Sequence, residues 1–111
     1  MGERIKTLYG SDDFGVTPAE VWKDAALDRR TTAFYTGITS LCFKADRPYC
    51  VTDRKALRQV TVPNPQYRTI ERMLEVLRQR GHIRYEVIDG ADCIVPTIDP
   101  IKLIEEGNRN E

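Results

Sequence analysis

Ile70, Met73, Leu74 and Leu77 recur at i, i+3, i+4 and i+7. That spacing lays four apolar side chains along one face of an α-helix. Gly81 follows, at the position where helices usually stop. Beyond it the period falls from 3.6 to two: Ile83, Tyr85 and Val87 point one way, and Arg84, Glu86 and Ile88 the other. Asp89-Gly90 then predicts a hairpin turn, and Cys93 to Ile98 the return strand. Pro96 implies that this strand has a free edge or stops early.

Upstream, Phe34, Ile38, Leu41 and Ala45 predict a second helix over residues 31–45, with Tyr35 and Cys42 widening its stripe. Gly37 inside it costs up to about 1 kcal/mol relative to Ala. Its lack of a side chain would let another helix approach closely. Asp46-Arg47-Pro48 ends the helix, and residues 48–51 are short and extended, a candidate edge strand. Thr52 is expected to cap the next helix, with Asp53 favoured at its positive end and Ala56, Leu57 and Val60 inward. Pro63 and Pro65 interrupt the helical run. Asn64 is expected to cap the following helix, with Pro65 in its first position.

Thr17-Pro18-Ala19-Glu20 predicts a helix over residues 18–27, Thr17 capping and Glu20 completing a capping box, with Val21 and Trp22 inward. Residues 1–16 read as an N-terminal arm with a short strand at 5–9. Residues 17–98 form the main domain. Residues 99–111 hold a short helix, 101–106, and a polar tail. The expected fold class is mainly α with a small β-hairpin.

Charge changes this picture. The 111 residues carry no formal net charge. Residues 44–84 nevertheless hold 10 Lys/Arg against 4 acids, an excess that 7 bases and 13 acids elsewhere cancel. A positive segment on the predicted helix pair marks a candidate surface for a polyanion. The composition, 41% hydrophobic and 31% charged, is that of a globular chain without a membrane span. The N-terminus lacks the apolar run of a signal peptide and the residues of a myristoylation site. Three cysteines, none in a CxxC pair, imply a reducing cytoplasm. Together with His82 they match no zinc-site spacing, so neither a metal nor a cofactor is expected. No nucleophile, phosphate-loop or metalloprotease motif is present, and no enzyme activity is expected.

Three short stretches carry a family pattern: Ala56-Leu57, Arg68-Thr69-Ile70, and Leu77 followed by Gly81-His82-Ile83. Val21-Trp22-Lys23-Asp24 and residues 34–45 precede them. In the order helix, short strand, helix, helix, hairpin, this resembles the winged helix-turn-helix domains of bacterial transcription regulators and of phage and plasmid replication proteins. The resemblance covers about residues 18–98 and implies binding to double-stranded DNA. Two features depart from the usual pattern. The turn between Leu57 and Ile70 is about two residues longer and carries Pro-Asn-Pro in place of a glycine. The hairpin tip carries Asp89 and Asp92 where a phosphate-gripping wing has Lys or Arg.

On this reading Arg68 and Arg72, opposite Ile70 and Leu77, face the major groove, where Arg can bind guanine through two hydrogen bonds. Gln66 and Thr69 read a base edge or hold phosphate, and Asn64 lies in the turn at the phosphate-attracting helix start. Thr52, Arg54, Lys55 and Arg58 suit backbone contacts. Tyr67 stacks, donates to phosphate, or packs beneath the turn. Arg78 and Arg80 are expected to serve the helix dipole. His82 is expected as a cap or surface residue, and Trp22 as a core anchor. One module recognises a short site weakly, so a homodimer is expected, with Ile5 and Leu8 or Ile101, Leu103 and Ile104 as its material. The alternative is a winged-helix scaffold that binds a protein at the wing instead of DNA. The orientation of Arg54, Arg58, Arg68 and Arg72 separates the two.

Overall fold

A computed structural model describes residues 5–9, 14–61 and 63–109. The described elements, in chain order, are β1 (Ile5–Tyr9), β2 (Phe14–Pro18), α1 (Ala19–Trp22), α2 (Arg29–Ala45), β3 (Cys50–Val51), α3 (Arg54–Gln59), α4 (Tyr67–Gln79), β4 (Ile83–Ile88), β5 (Ala91–Pro96) and α5 (Pro100–Arg109). The class is α+β. β1 and β2 form an antiparallel pair, and β3, β5 and β4 form a three-stranded antiparallel sheet in that order.

The core forms where α2, α3 and α4 meet the sheet. Phe34, Tyr35, Ile38 and Cys42 from α2, Leu57 from α3, and Ile70, Met73, Leu74 and Leu77 from α4 pack with Cys50, Ile83 and Ile94. The α4 stripe is thus buried as its spacing predicts. Gly37 meets α3 at close range: a Cβ there would stand 3.0 Å from Val60 Cγ2 and 3.1 Å from the Val60 carbonyl. The expected close approach is made by the end of α3.

α2 begins two residues before its predicted start because Asp28 caps it, Oδ1 accepting from the Thr31 N–H at 2.7 Å. It ends where expected, at Asp46, whose φ of 55° breaks the helix. α3 is capped by Asp53, which accepts from Lys55 N–H (3.0 Å) and Ala56 N–H (3.4 Å). The expected Thr52 cap is therefore corrected. Thr52 continues the sheet edge instead, its N–H donating to the Asp92 carbonyl at 2.9 Å.

Asn64 does not cap α4. With its amide nitrogen turned inward it donates to the carbonyls of Arg58 and Thr61, both at 3.0 Å, and so closes the end of α3. α4 starts two residues later than Pro65, with Gln66 at its cap position. The helix expected from Thr17 is also corrected. Thr17 and Pro18 belong to β2, and the helix that follows, α1, spans only Ala19–Trp22. β2 lies on the backbone of α2. Thr39 Oγ1 accepts from Val16 N–H at 2.9 Å and reaches the carbonyls of Val16 (2.9 Å) and Thr36 (2.7 Å), its single proton serving one at a time. The Thr17 hydroxyl meets that of Thr36.

The hairpin turn is the two-residue one predicted. Ile88 pairs with Ala91, and Asp89 and Gly90 both have positive φ, 52° and 79°. The return strand covers Ala91–Pro96, earlier than expected, and is central, not free-edged. It stops at Pro96, which lacks the N–H to continue. The two strands of the hairpin differ: on β5 Cys93, Ile94 and Val95 are buried, whereas on β4 only Ile83 is, Tyr85 being 45% and Val87 69% exposed. Asp99 caps α5, accepting from Ile101 (2.9 Å) and Lys102 (3.2 Å). α5 is longer than expected and lies against α2. Among the described residues no helix is long and apolar enough to cross a membrane.

Candidate nucleic-acid interface

Of the ten residues singled out from sequence, all but Thr52 fall into two groups on α3, α4 and the turn between them. The first is an internally bonded ladder along the seam between the helices. Arg54 makes a two-pronged ion pair with Glu71, Nη2 to Oε2 at 3.1 Å. One turn later Arg58 Nε donates to the Pro65 carbonyl at 2.8 Å, and its guanidinium lies 5.7 Å from the centre of the Tyr67 ring. Tyr67 is half-exposed beneath it. Asn64 bonds the end of α3, and Gln66 supplies the carbonyl that accepts from Thr69 (3.0 Å) and Ile70 (3.1 Å). These contacts tie the turn between α3 and α4 to both helices.

The second group faces solvent. Successive helical residues rotate by about 100°, so Arg68, Arg72, Glu75 and Gln79 share the stripe opposite Ile70 and Leu77. All four are exposed. Glu75 is taken by Arg78 (2.9 and 2.6 Å) and Gln79 (3.0 Å), and those bonds lower its pKa. Arg68, Arg72 and Lys55 make no salt bridge among the described residues. Arg72 does act on Asp28 through space, adding to the lowering of that carboxyl by its Thr31 hydrogen bonds. Thr69 is half-buried on one flank. Thr52 has its hydroxyl buried without a partner, beside an open groove of about 270 Å³ lined by Arg54, Tyr85, Glu86, Val87 and Asp92.

One cluster was not legible in the sequence. Asp24, only 8% exposed, accepts from Arg80 Nε (3.0 Å) and Nη2 (3.1 Å), from His82 Nε2 (2.7 Å) and from the Ala26 N–H (2.9 Å). Arg80, then His82, holds its carboxyl far below the usual carboxylate range. His82 must carry its proton on Nε2 to donate there. The cluster ties the segment after α1 to the exit of α4. Arg80 thus meets an acid from a distant segment, and His82 is a half-buried latch that also takes part in the expected cap, its N–H donating to the Leu77 carbonyl at 2.9 Å beyond Gly81. The separations, 56 and 58 positions, leave no local signal. Val51, Tyr85 and Val87, exposed apolar residues of the sheet, were also missed, because period-two spacing identifies a face but not what covers it.

No family model, curated protein or solved structure matches this chain.

Proposed function

We propose that this chain is a winged helix-turn-helix protein that binds double-stranded DNA in the cytoplasm, as a small transcriptional regulator or a replication or mobile-element accessory factor, with α4 as its recognition helix. The observation that carries this reading is the pair Arg68 and Arg72. They stand on the solvent stripe of α4, in its N-terminal half, with no acid among the described residues in salt-bridge contact. β3 also pairs with β5, which ties helix, strand, helix, helix and hairpin into one unit of the order seen in such domains.

The two groups of residues take different parts. Arg68 and Arg72 read base edges, with Thr69 beside them. Lys55, at the start of α3, contacts a phosphate, as does the N-terminal end of α4. Arg54, Arg58, Tyr67 and Asn64 hold the two helices in register, and the half-exposed Tyr67 can donate its hydroxyl to the backbone. The hairpin tip, with Asp89 and Asp92, stays away from the phosphates.

Binding to random-sequence and genomic duplex fragments at about 50 and 200 mM salt tests this reading. A complex neutralising three phosphates should weaken about 40-fold across that range. Arg72→Ala should relax base preference, and Lys55→Ala should weaken all sequences alike. No binding at the lower salt would sink the proposal. The second reading, a protein-binding scaffold, is favoured by the exposed Val51, Tyr85 and Val87 and by the Arg54–Glu71 pair that neutralises one cation.

A further inference from the structure

β4 has one neighbour. The sheet order β3-β5-β4 leaves its other side open among the described residues. The phase of that open side follows from the hairpin. Ile88 and Ala91 flank a two-residue turn and form a hydrogen-bonded pair, followed by Glu86 with Cys93 and Arg84 with Val95. The N–H and C=O groups of Ile83, Tyr85 and Val87 therefore point outward. An open edge of apolar and β-forming residues invites a further strand, and proteins block such edges with charge, proline or shortness. β4 has six residues and no proline.

Its charges do not block every partner. Arg84 and Glu86 share one face and pair with each other. A strand that meets its own copy antiparallel does so about a two-fold axis perpendicular to the sheet, so residues of one face meet residues of the same face. With the axis at Tyr85, Arg84 lies opposite the partner's Glu86, twice, and Ile83 lies opposite the partner's Val87, twice. All outward main-chain groups of Ile83, Tyr85 and Val87 then find partners, about six hydrogen bonds in all. Moving the axis to Arg84 sets Arg against Arg, and moving it to Glu86 sets Glu against Glu, and like charges directly opposite destabilise. The sequence Ile-Arg-Tyr-Glu-Val is thus charge-complementary to itself in one register.

We infer that the open edge of β4 is a self-pairing surface, through which two copies of this chain join their three-stranded sheets into one six-stranded antiparallel sheet. The exposed Tyr85 and Val87 become cross-strand contacts in that sheet. This dimer uses neither terminus, and it stands whether or not the chain binds DNA.

Charge reversal tests it. In sedimentation equilibrium from roughly 10 to 200 μM, a usual range for modest interfaces, the full chain should approach twice its 12.7 kDa mass. Arg84→Glu and Glu86→Arg each place two like pairs across the axis and should each weaken association about tenfold or more. Mixed in equal amounts, these two variants should associate with each other, and the double variant should recover the wild-type constant. Tyr85→Pro removes an outward N–H that the β4–β5 ladder does not use. It should give a monomer with an unchanged circular dichroism spectrum, and if it does not fold the charge-reversal mixture still decides. A wild-type chain that stays monomeric throughout the range would overturn the inference. So would single reversals that associate as tightly as wild type, or a mixture that does not associate.

Discussion

Single residues divide here by what they touch. Gly15 shows the sharpest constraint: a Cβ there would lie 2.4 Å from the Thr36 carbonyl, a backbone atom of α2 that cannot step aside. Gly15→Ala should cost about 1–3 kcal/mol, the range of overpacked sites, measured as a lowered urea midpoint. Arg58 and Arg72 separate structural from solvent-facing cations. Arg58→Ala loses the bond to Pro65 and the contact with Tyr67, and should destabilise by about 1 kcal/mol. Arg72→Ala should stay within about 0.5 kcal/mol of wild type while lowering DNA affinity. Equal stability losses in the two variants would show that this division is wrong. Asp24 sets an acid response. Its folded-state pKa is depressed, so the stability it contributes is present above the ordinary carboxylate value of 3.8 and is lost as pH falls below it. Asp24→Asn should lower the urea midpoint near neutral pH and flatten the decline in acid. A decline as steep as wild type would assign the acid sensitivity to other groups.

At the scale of elements, α4 combines two demands on one helix. Its inner face holds Ile70, Met73, Leu74 and Leu77, all buried, while its outer stripe carries the exposed Arg68 and Arg72. Leu74→Ala should cost about 2–5 kcal/mol and lower DNA binding only in proportion to the unfolded fraction, as thermal unfolding followed alongside binding would show. α2 was readable as an apolar stripe, yet its polar side is also covered: Thr36, Thr39 and Ser40 are buried. β2 covers that side and supplies backbone partners for Thr39. Threonines inside a helix resemble a solvated face in sequence, because their methyl and hydroxyl suit either setting. The same ambiguity misplaced the start near Thr17. Thr-Pro-Ala-Glu fits a capping box, but the Thr17 hydroxyl is turned to Thr36, a partner 19 positions away. The hairpin shows the reverse. Asp89-Gly90 determined the turn locally, whereas the exposure of Tyr85 and Val87 depends on how far the core extends beneath β4.

In the whole molecule, zero net charge conceals a division of labour. Of the ten bases between residues 44 and 84, Arg54 and Arg78 pair with acids of α4, Arg80 with Asp24, and Arg84 with Glu86. Lys44 and Arg47 lie at the end of α2, and Arg58 is bonded to the Pro65 carbonyl, so Lys55, Arg68 and Arg72 are the cations on the solvent side of α3 and α4. A sequence count of charge therefore overstates the polyanion surface. The salt dependence of DNA binding should correspond to about three phosphate equivalents, not six, and a titration of affinity against salt reads that number directly. The chain's 13.1 Å radius of gyration is close to the ~13 Å of a compact domain of about 100 residues, so these pairs join segments of one body. Sequence alone determined the features that local rules control. They include the α4 stripe and its stop at Gly81, the end of α2, the Asp89-Gly90 turn and the short strand before α3. Backbone propensity and the spacing of apolar residues act within a few positions, and a reader of the sequence has those positions. Tertiary structure alone decided that β2 lies on α2, that Asn64 closes α3, that Asp24 holds Arg80 and His82, and which arginines pair with the described acids. Asn64 chose between two nearby helix ends, and the other outcomes depend on polar groups from distant segments; in each case the lower free energy of the whole fold decides the pairing, and no local pattern encodes that.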